Sequence, residues 1–458
     1  KNEAEVEETL RYARDAGLTA VYLEAWIEGH SLWPSDIPDI EMWPDLEGFD
    51  ALGAFIRIGH RLGLEIHAWC ETFLIGVIPH SKRGKPGSME RYAPLAKTHP
   101  DWLLESRLGC RYSNRVFDHM DMYFFNPMEE GARDLVASVY REMVTRYELD
   151  GVNFDYVRFP EPNDPQDDKM DDFGFNRNIV EAYQAKFGTD PHEITDSHPQ
   201  WRQWCHFRAE LINTFVYRTA DEVRKINPKL NLSVSIFANY DLAMTLKYQE
   251  TMDWVSKGYI DEVFTMSYYM YERPVISETR DTIRRAGDMA YASTGIAAYV
   301  QVSEETILRQ LKGIREENAA GSAFFALLEF RKKGFGKLLR SSLYRDDAIA
   351  SPDRVEQAVP AILEEMLRKI RKIYMPFAGG AEEDYAVPRL ETALAAARNN
   401  RYDEAGSRAL LGDTQALLTA LDGLTINGNA CNHLRSDLDR TAYLLRVHLN
   451  RLASRGGR

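Results

Sequence analysis

The sequence predicts an α/β fold: a (β/α)8 TIM barrel followed by an α-helical C-terminal domain. Three observations lead there. Between Thr19 and Phe330, seven short β-rich runs alternate with long amphipathic segments, the pattern of parallel strands joined by helical crossovers. Helix-stopping residues stand ahead of nearly every run, in AGLT, RLGLE, YELDG, INPKLN, KGYID, ASTG and NAAGS. The chain of 458 residues also exceeds the roughly 250 of a single barrel, and past Ser351–Pro352 it turns to Leu, Ala, Arg and Glu at helical spacing.

Taken in order, the chain opens in a helix over Glu3–Ala16, and the strand runs are Thr19–Trp26, Glu65–Cys70, Gly151–Phe159, Asn231–Ala238, Asp261–Met270, Gly295–Val302 and Gly321–Phe330. A helix ahead of the first run implies that one more strand, upstream of Lys1, completes the eight. An open doubly wound sheet is the alternative. Two long excursions, Glu71–Phe125 and Glu161–Gln200, follow strands and therefore belong to the face where barrel active sites are built. The expected domains are a catalytic barrel over residues 1–350 and a helical domain over 351–458, the latter a separate bundle or a surface for homo-oligomers.

Composition narrows the function. No stretch approaches the roughly 20 apolar residues of a membrane span. The net charge of -14, with no Lys/Arg stripe interleaved with aromatics, disfavours nucleic acid and suits a neutral or cationic ligand. Cys70, Cys110, Cys205 and Cys431 follow neither a metal-ligand nor a disulfide spacing and are expected as buried free thiols. No signal peptide is visible and the chain begins inside a helix, so a trimmed N-terminus is expected and localisation is not readable from it.

The chemistry concentrates in Gly151–Pro160, GVNFDYVRFP. Side chains alternate along a strand, so Val152 and Phe154 face the helices while Asn153 and Asp155 face the interior, with Asp155 near the C-terminal mouth. A carboxylate among aromatic neighbours needs a partner or a use, and Arg158 is the natural partner. The plainer alternative is an Asp–Arg pair that pins the strand end.

The run DGVNFDYVRFP (Asp150–Pro160) resembles the signature of the glycosyl-hydrolase-like 10 family, whose fourth strand reads roughly DGIHFDYVRYP. Ala20–Ser35 (AVYLEAWIEGHSLWPS) and His67–Trp69 (HAW) are similar to the family's second and third strands, and the resemblance covers Thr19 to Phe330. It implies a barrel glycosidase acting on a bacterial cell-wall or related polysaccharide, with the aspartate at Asp155 catalytic and the protein extracytoplasmic or secreted. The helical tail lies outside it. Where many relatives carry Gln and Asn, this chain carries Glu24 and Glu71, which adds carboxylates to the mouth.

Glycoside hydrolysis requires two carboxyl groups, one protonating the leaving oxygen and one attacking or activating water. The second is sought first in Glu71 and Glu24, which alternation turns inward, then in Glu329 at the end of the last strand, then in Glu272 in a loop. Trp26, Trp33, Trp69, Tyr268 and Tyr269 stand at or beyond strand ends, where rings stack on sugars, although a core role fits each singly. His67 is either a substrate or carboxylate partner or a satisfied core histidine. No cofactor or metal is expected; the acidic loop Asp164–Asp172 invites calcium but lacks an EF-hand spacing. Rival readings are a metal-dependent hydrolase, which needs histidines at strand ends, and a sugar-binding barrel without catalysis.

Overall fold

A computed structural model describes residues 2–46, 48–114, 119–166, 169–345, 354–374, 383–421 and 428–456. The chain divides into two compact units, Lys1–Trp254 and Val255–Arg458. The 350/351 boundary expected from the sequence lies outside the described residues.

The first unit opens with the helix Glu3–Asp15, whose N-cap Asn2 accepts from the Glu5 amide. Four parallel strands follow, β1 (Ala20–Ile27), β2 (Glu65–Glu71), β3 (Gly151–Asp155) and β4 (Asn231–Ile236), each hydrogen-bonded to the next in that order. Their crossovers carry the helices Ala51–Arg61, Glu130–Arg146 and Trp201–Ile226. Alternation holds in β3: Phe154 is fully buried and stacks on Tyr140 of the Glu130–Arg146 helix at 4.8 Å. Gly151 is required because a Cβ there would stand 2.2 Å from His67 Nδ1.

The long excursion after β2 folds back as an antiparallel pair, Leu74–Pro79 with Met120–Phe124. In the acidic loop, Asp172 is spent on Arg208 and Arg107 at 2.6 and 3.1 Å, while residues 167–168 lie outside the described residues.

The second unit contributes β5 (Glu262–Met266), β6 (Tyr291–Ala297) and β7 (Gly321–Phe325), parallel and adjacent in that order. β6 lies four residues ahead of the expected Gly295–Val302. Its Ser, Thr and Gly read poorly as a strand, but pairing on both sides satisfies its backbone, and that outweighs propensity. The expected seventh run stops at Phe325, and a helix begins at Leu327, so Glu329 sits on a helix and not at the end of a strand. Glu272 likewise opens the helix Glu272–Ala286.

The tail is helical as expected, in Val355–Lys369, Glu383–Arg398, Glu404–Leu421 and Gly428–Gly456. Val359, Leu363, Met366, Leu410, Leu434 and Leu445 share a core with Tyr291 and Ala320. In the last helix, the Tyr443 hydroxyl donates to the Ala290 carbonyl (3.1 Å) and accepts from the Ala292 amide (3.0 Å). Arg451 and Arg455 both reach Asp261, at 3.0 and 2.9 Å. These contacts gather where β5 and β6 begin, the end of the strands opposite to the one that carries chemistry in this class. Of the thiols, Cys70 and Cys205 are buried, but Cys110 and Cys431 are half-buried, against the expectation of four buried groups.

Candidate active site

The site is set by strand register. Glu71 of β2 stands directly beside Asp155 of β3, and one layer deeper Glu24 of β1, Trp69 of β2 and Asn153 of β3 are abreast. In-register neighbours on parallel strands project to the same face, so Glu24, Glu71 and Asp155 converge at the C-terminal ends of the strands. The next residue breaks the pattern. A bulge at Ala25 pairs Trp26 with Cys70, so Trp26 projects to the face opposite Glu24 and is fully buried there. Strict alternation had put Trp26 beside Glu24, and the bulge reverses it.

Asp155 is buried and held on three sides. Its Oδ2 accepts from the Trp69 indole (3.0 Å), its Oδ1 accepts from the Tyr156 amide (2.7 Å), and its backbone carbonyl accepts from Thr72 (2.8 Å). Tyr156 takes a left-handed φ of 46°. Burial pushes the Asp155 carboxyl above its ordinary value, opposed by the charge of Arg158, the Tyr156 amide and the indole. Arg158 itself is buried between the rings of Tyr156 (4.6 Å) and Phe237 (4.9 Å). It acts on Asp155 through its field, with no ion pair to Asp155 among the described contacts.

Glu71 and Glu24 form a pair. Their side chains hydrogen-bond each other, which requires a proton on one of them. Burial, then the charge of Asp155, then that of Glu28 raises Glu24 to about 8. Burial and Glu24 raise Glu71 well above the carboxylate range, although its Oε2 accepts from the Glu28 amide at 2.7 Å. Glu28 is itself raised to about 7 by burial.

The cluster therefore pairs Glu71, where burial and acidic neighbours both favour the proton, with Asp155, where an arginine charge and two N–H donors oppose the effect of burial. That is the division of labour an acid and a base or nucleophile need. Next to it, Lys247 bonds Glu161, and burial followed by the charge of Arg158 lowers its ammonium to about 7.

The other expected residues fall elsewhere. His67 lies two layers below Asp155, stacked on Tyr22 at 4.4 Å with Nε2 3.4 Å from Glu65. That is a core position at the floor of the strands. Asn153 is spent on Ser233 and Ser235 at 3.0 Å each. Trp33 is fully buried, and its indole donates to Glu142 (2.9 Å), which also accepts from Ser35 and the Asp36 amide at 2.6 Å. The aromatic-Pro-Ser turn is therefore pinned to the Glu130–Arg146 helix and its ring is not free for a sugar.

In the second unit, the strand ends present Tyr268 against Tyr299 and Phe325, each pair at 5.8 Å, with Tyr299 49% and Phe325 38% exposed. Tyr269 donates to Glu278 (2.6 Å), Glu329 pairs with Lys332 (2.7 Å), and Glu272 is half-buried.

Sequence reasoning missed Glu28, Lys247, Tyr299 and Phe325. Only Glu28 left a signal: Glu28–Gly29 sits between two β-like stretches where Asn-Gly or Asp-Gly normally marks a hairpin. Among the described residues, no group of three or more His, Cys, Asp or Glu side chains is placed to hold a metal, and no helix is long and apolar enough to cross a membrane.

The profile of the glycosyl hydrolase-like 10 family matches residues 2–296, well over half of the chain. The chain belongs to the glycosyl hydrolase-like 10 family. It is 22% identical over 294 residues to glycosyl hydrolase DigH of Escherichia coli K12, covering 58% of this chain and 57% of that protein. It is 23% identical over 247 residues to glycosyl hydrolase YngK of Bacillus subtilis, covering 48% and 39% respectively. The chain thus spans little more than half the length of the first and less of the second. Among solved structures it is similar to the catalytic domain of a β-amylase from Paenibacillus polymyxa, with a TM-score of 0.53 and 9% identity over 74% of this chain and 95% of that one. At that identity the likeness concerns the fold, the TIM-barrel class expected from the sequence. The family match extends into β6 and ends ahead of the helical tail.

Proposed function

We propose that this member of the family is a glycoside hydrolase that cleaves a polysaccharide, of bacterial cell-wall type, by a two-carboxylate mechanism. Asp155 acts as nucleophile or general base, and Glu71 as general acid, its proton held by sharing with Glu24. The observation that carries the proposal is the register itself: Glu71 stands beside Asp155 on adjacent strands, and the rise that burial causes in both is reinforced at Glu71 by acidic neighbours and opposed at Asp155 by the Arg158 charge and two N–H donors. Trp69 is a positioning residue, fixing Asp155 through its indole. Within the second unit, taken by itself, Tyr268, Tyr299 and Phe325 offer ring faces on which a sugar can stack, and the helices after residue 351 take no part in the chemistry.

Asp155→Asn keeps shape and removes the charge. Reducing ends released from a polysaccharide panel, including peptidoglycan strands stripped of peptides, are expected to fall about 10²–10⁴-fold in this variant. Equal cleavage by variant and parent refutes the assignment of Asp155. Unchanged glycan binding with no new reducing ends from the parent would favour the non-catalytic reading.

A further inference from the structure

We propose that Glu28 is a specificity-determining residue that contacts the substrate and selects a sugar bearing a free ammonium group, such as a de-N-acetylated amino sugar, over its neutral N-acetylated counterpart. The inference rests on the glycosidase reading for the identity of the ligand as a sugar. It comes from an excess of carboxyls that hydrolysis does not explain. Two serve the reaction, Asp155 and Glu71, and Glu24 is tied up in sharing a proton with Glu71. Glu28 is left over. Its carboxyl accepts no hydrogen bond and meets no cation among the described residues, although it is only half exposed and burial raises its proton affinity.

The backbone keeps Glu28 there at a cost. Ile27 pairs with His30, so Glu28 and Gly29 form a two-residue hairpin turn with φ of 48° and 78°. Such turns favour Asn, Asp or Gly at the first position, where a longer side chain is strained. The turn cannot relax by exchanging its second residue either, because a Cβ on Gly29 would stand 2.6 Å from the Ile75 carbonyl. The same turn aims the Glu28 amide at Glu71 Oε2, 2.7 Å away, and the Glu28 carboxyl is near enough for its charge to act on both Glu71 and Glu24.

Charge decides which ligand suits it. The local cations are committed: Arg158 is buried between two rings and acts on Asp155, and Lys247 is bonded to Glu161. An anionic sugar would find only acidic neighbours here and raise their proton affinity further. A neutral one would leave Glu28 uncompensated. An ammonium supplies the missing partner, and because it favours the ionised carboxylate its binding releases a proton.

Calorimetry on Asp155→Asn protein, with the glucosamine tetramer and the N-acetylglucosamine tetramer as probes, tests this independently of turnover. The expected result is at least tenfold tighter binding of the glucosamine tetramer at pH 7 than of the acetylated one. That advantage should shrink at pH 5.5, and buffers of different ionisation heat should register proton release. Glu28→Gln in the same background retains the backbone amide that Glu71 uses and is expected to bring the two affinities together, and Glu28→Lys to reverse their order.

Equal affinities, no measurable binding of the glucosamine tetramer, or a preference that survives Glu28→Gln in protein with an unchanged melting temperature overturns the proposal. Failure of the hydrolase reading shows separately: the preference would hold while the parent releases no reducing ends from either tetramer.

Discussion

Glu24→Gln should make the protein more stable at neutral pH while impairing its chemistry. The carboxyl of Glu24 is raised from 4.5 to about 8. A group whose native value is raised contributes stability that is fully present below its unfolded value and is lost as pH climbs through the native one. Between pH 4.5 and pH 7 the unfolded chain gains by ionising Glu24 while the native protein keeps the proton. Each pH step costs about 1.4 kcal/mol, so the upper bound at pH 7 is about 3 kcal/mol. Sharing of the proton with Glu71 and partial access of water reduce that to roughly 2 kcal/mol.

Glutamine is nearly isosteric, cannot ionise, and its amide oxygen can accept from Glu71 as the Glu24 carboxyl does. Scaled by 2–4 °C per kcal/mol for a unit of this size, the variant should melt about 4–8 °C higher at pH 7. Its advantage should vanish near pH 4.5. Thermal unfolding of parent and variant at pH 4.5, 6, 7 and 8 reads this directly. A variant whose melting temperature follows the parent's at every pH, or falls below it at pH 8, would refute the claim that Glu24 is buried with its proton.

Two further predictions concern stability. Gly151→Ala drives a methyl into the His67 ring, 2.2 Å from Nδ1, and should cost about 1–3 kcal/mol or more in urea unfolding, with partial rescue by His67→Ala. An unchanged midpoint would mean that the floor of the strands is looser than described. Asp261→Ala removes a carboxylate partner of the buried Arg451 and of Arg455, and should cost about 3 kcal/mol in chemical denaturation. Cleavage of a glycan by the folded variant should be unaffected, since Asp261 precedes β5 and is committed to Arg451 and Arg455.

The alternation of strands and helices, the helical tail and the inward aim of Asp155, Glu24 and Glu71 were all legible in the sequence, because two-residue periodicity and helix-stopping residues are local. The family signature around Asp155 was legible for the same reason: one strand and its following turn are a contiguous stretch. What failed was also local in origin. Ala25 carries no mark of a bulge, yet one extra residue turns Trp26 away from Glu24. Nothing in YASTGIA announces a strand; pairing on both sides makes it one.

By itself, then, the sequence determined the class of fold and which residues could carry charge to the mouth of the strands. Tertiary structure alone decided how those charges are used. Proton affinity depends on burial and on neighbours distant in sequence, so the sharing between Glu24 and Glu71, the indole of Trp69 on Asp155 and the amide of Glu28 on Glu71 exist only once β1, β2 and β3 lie side by side.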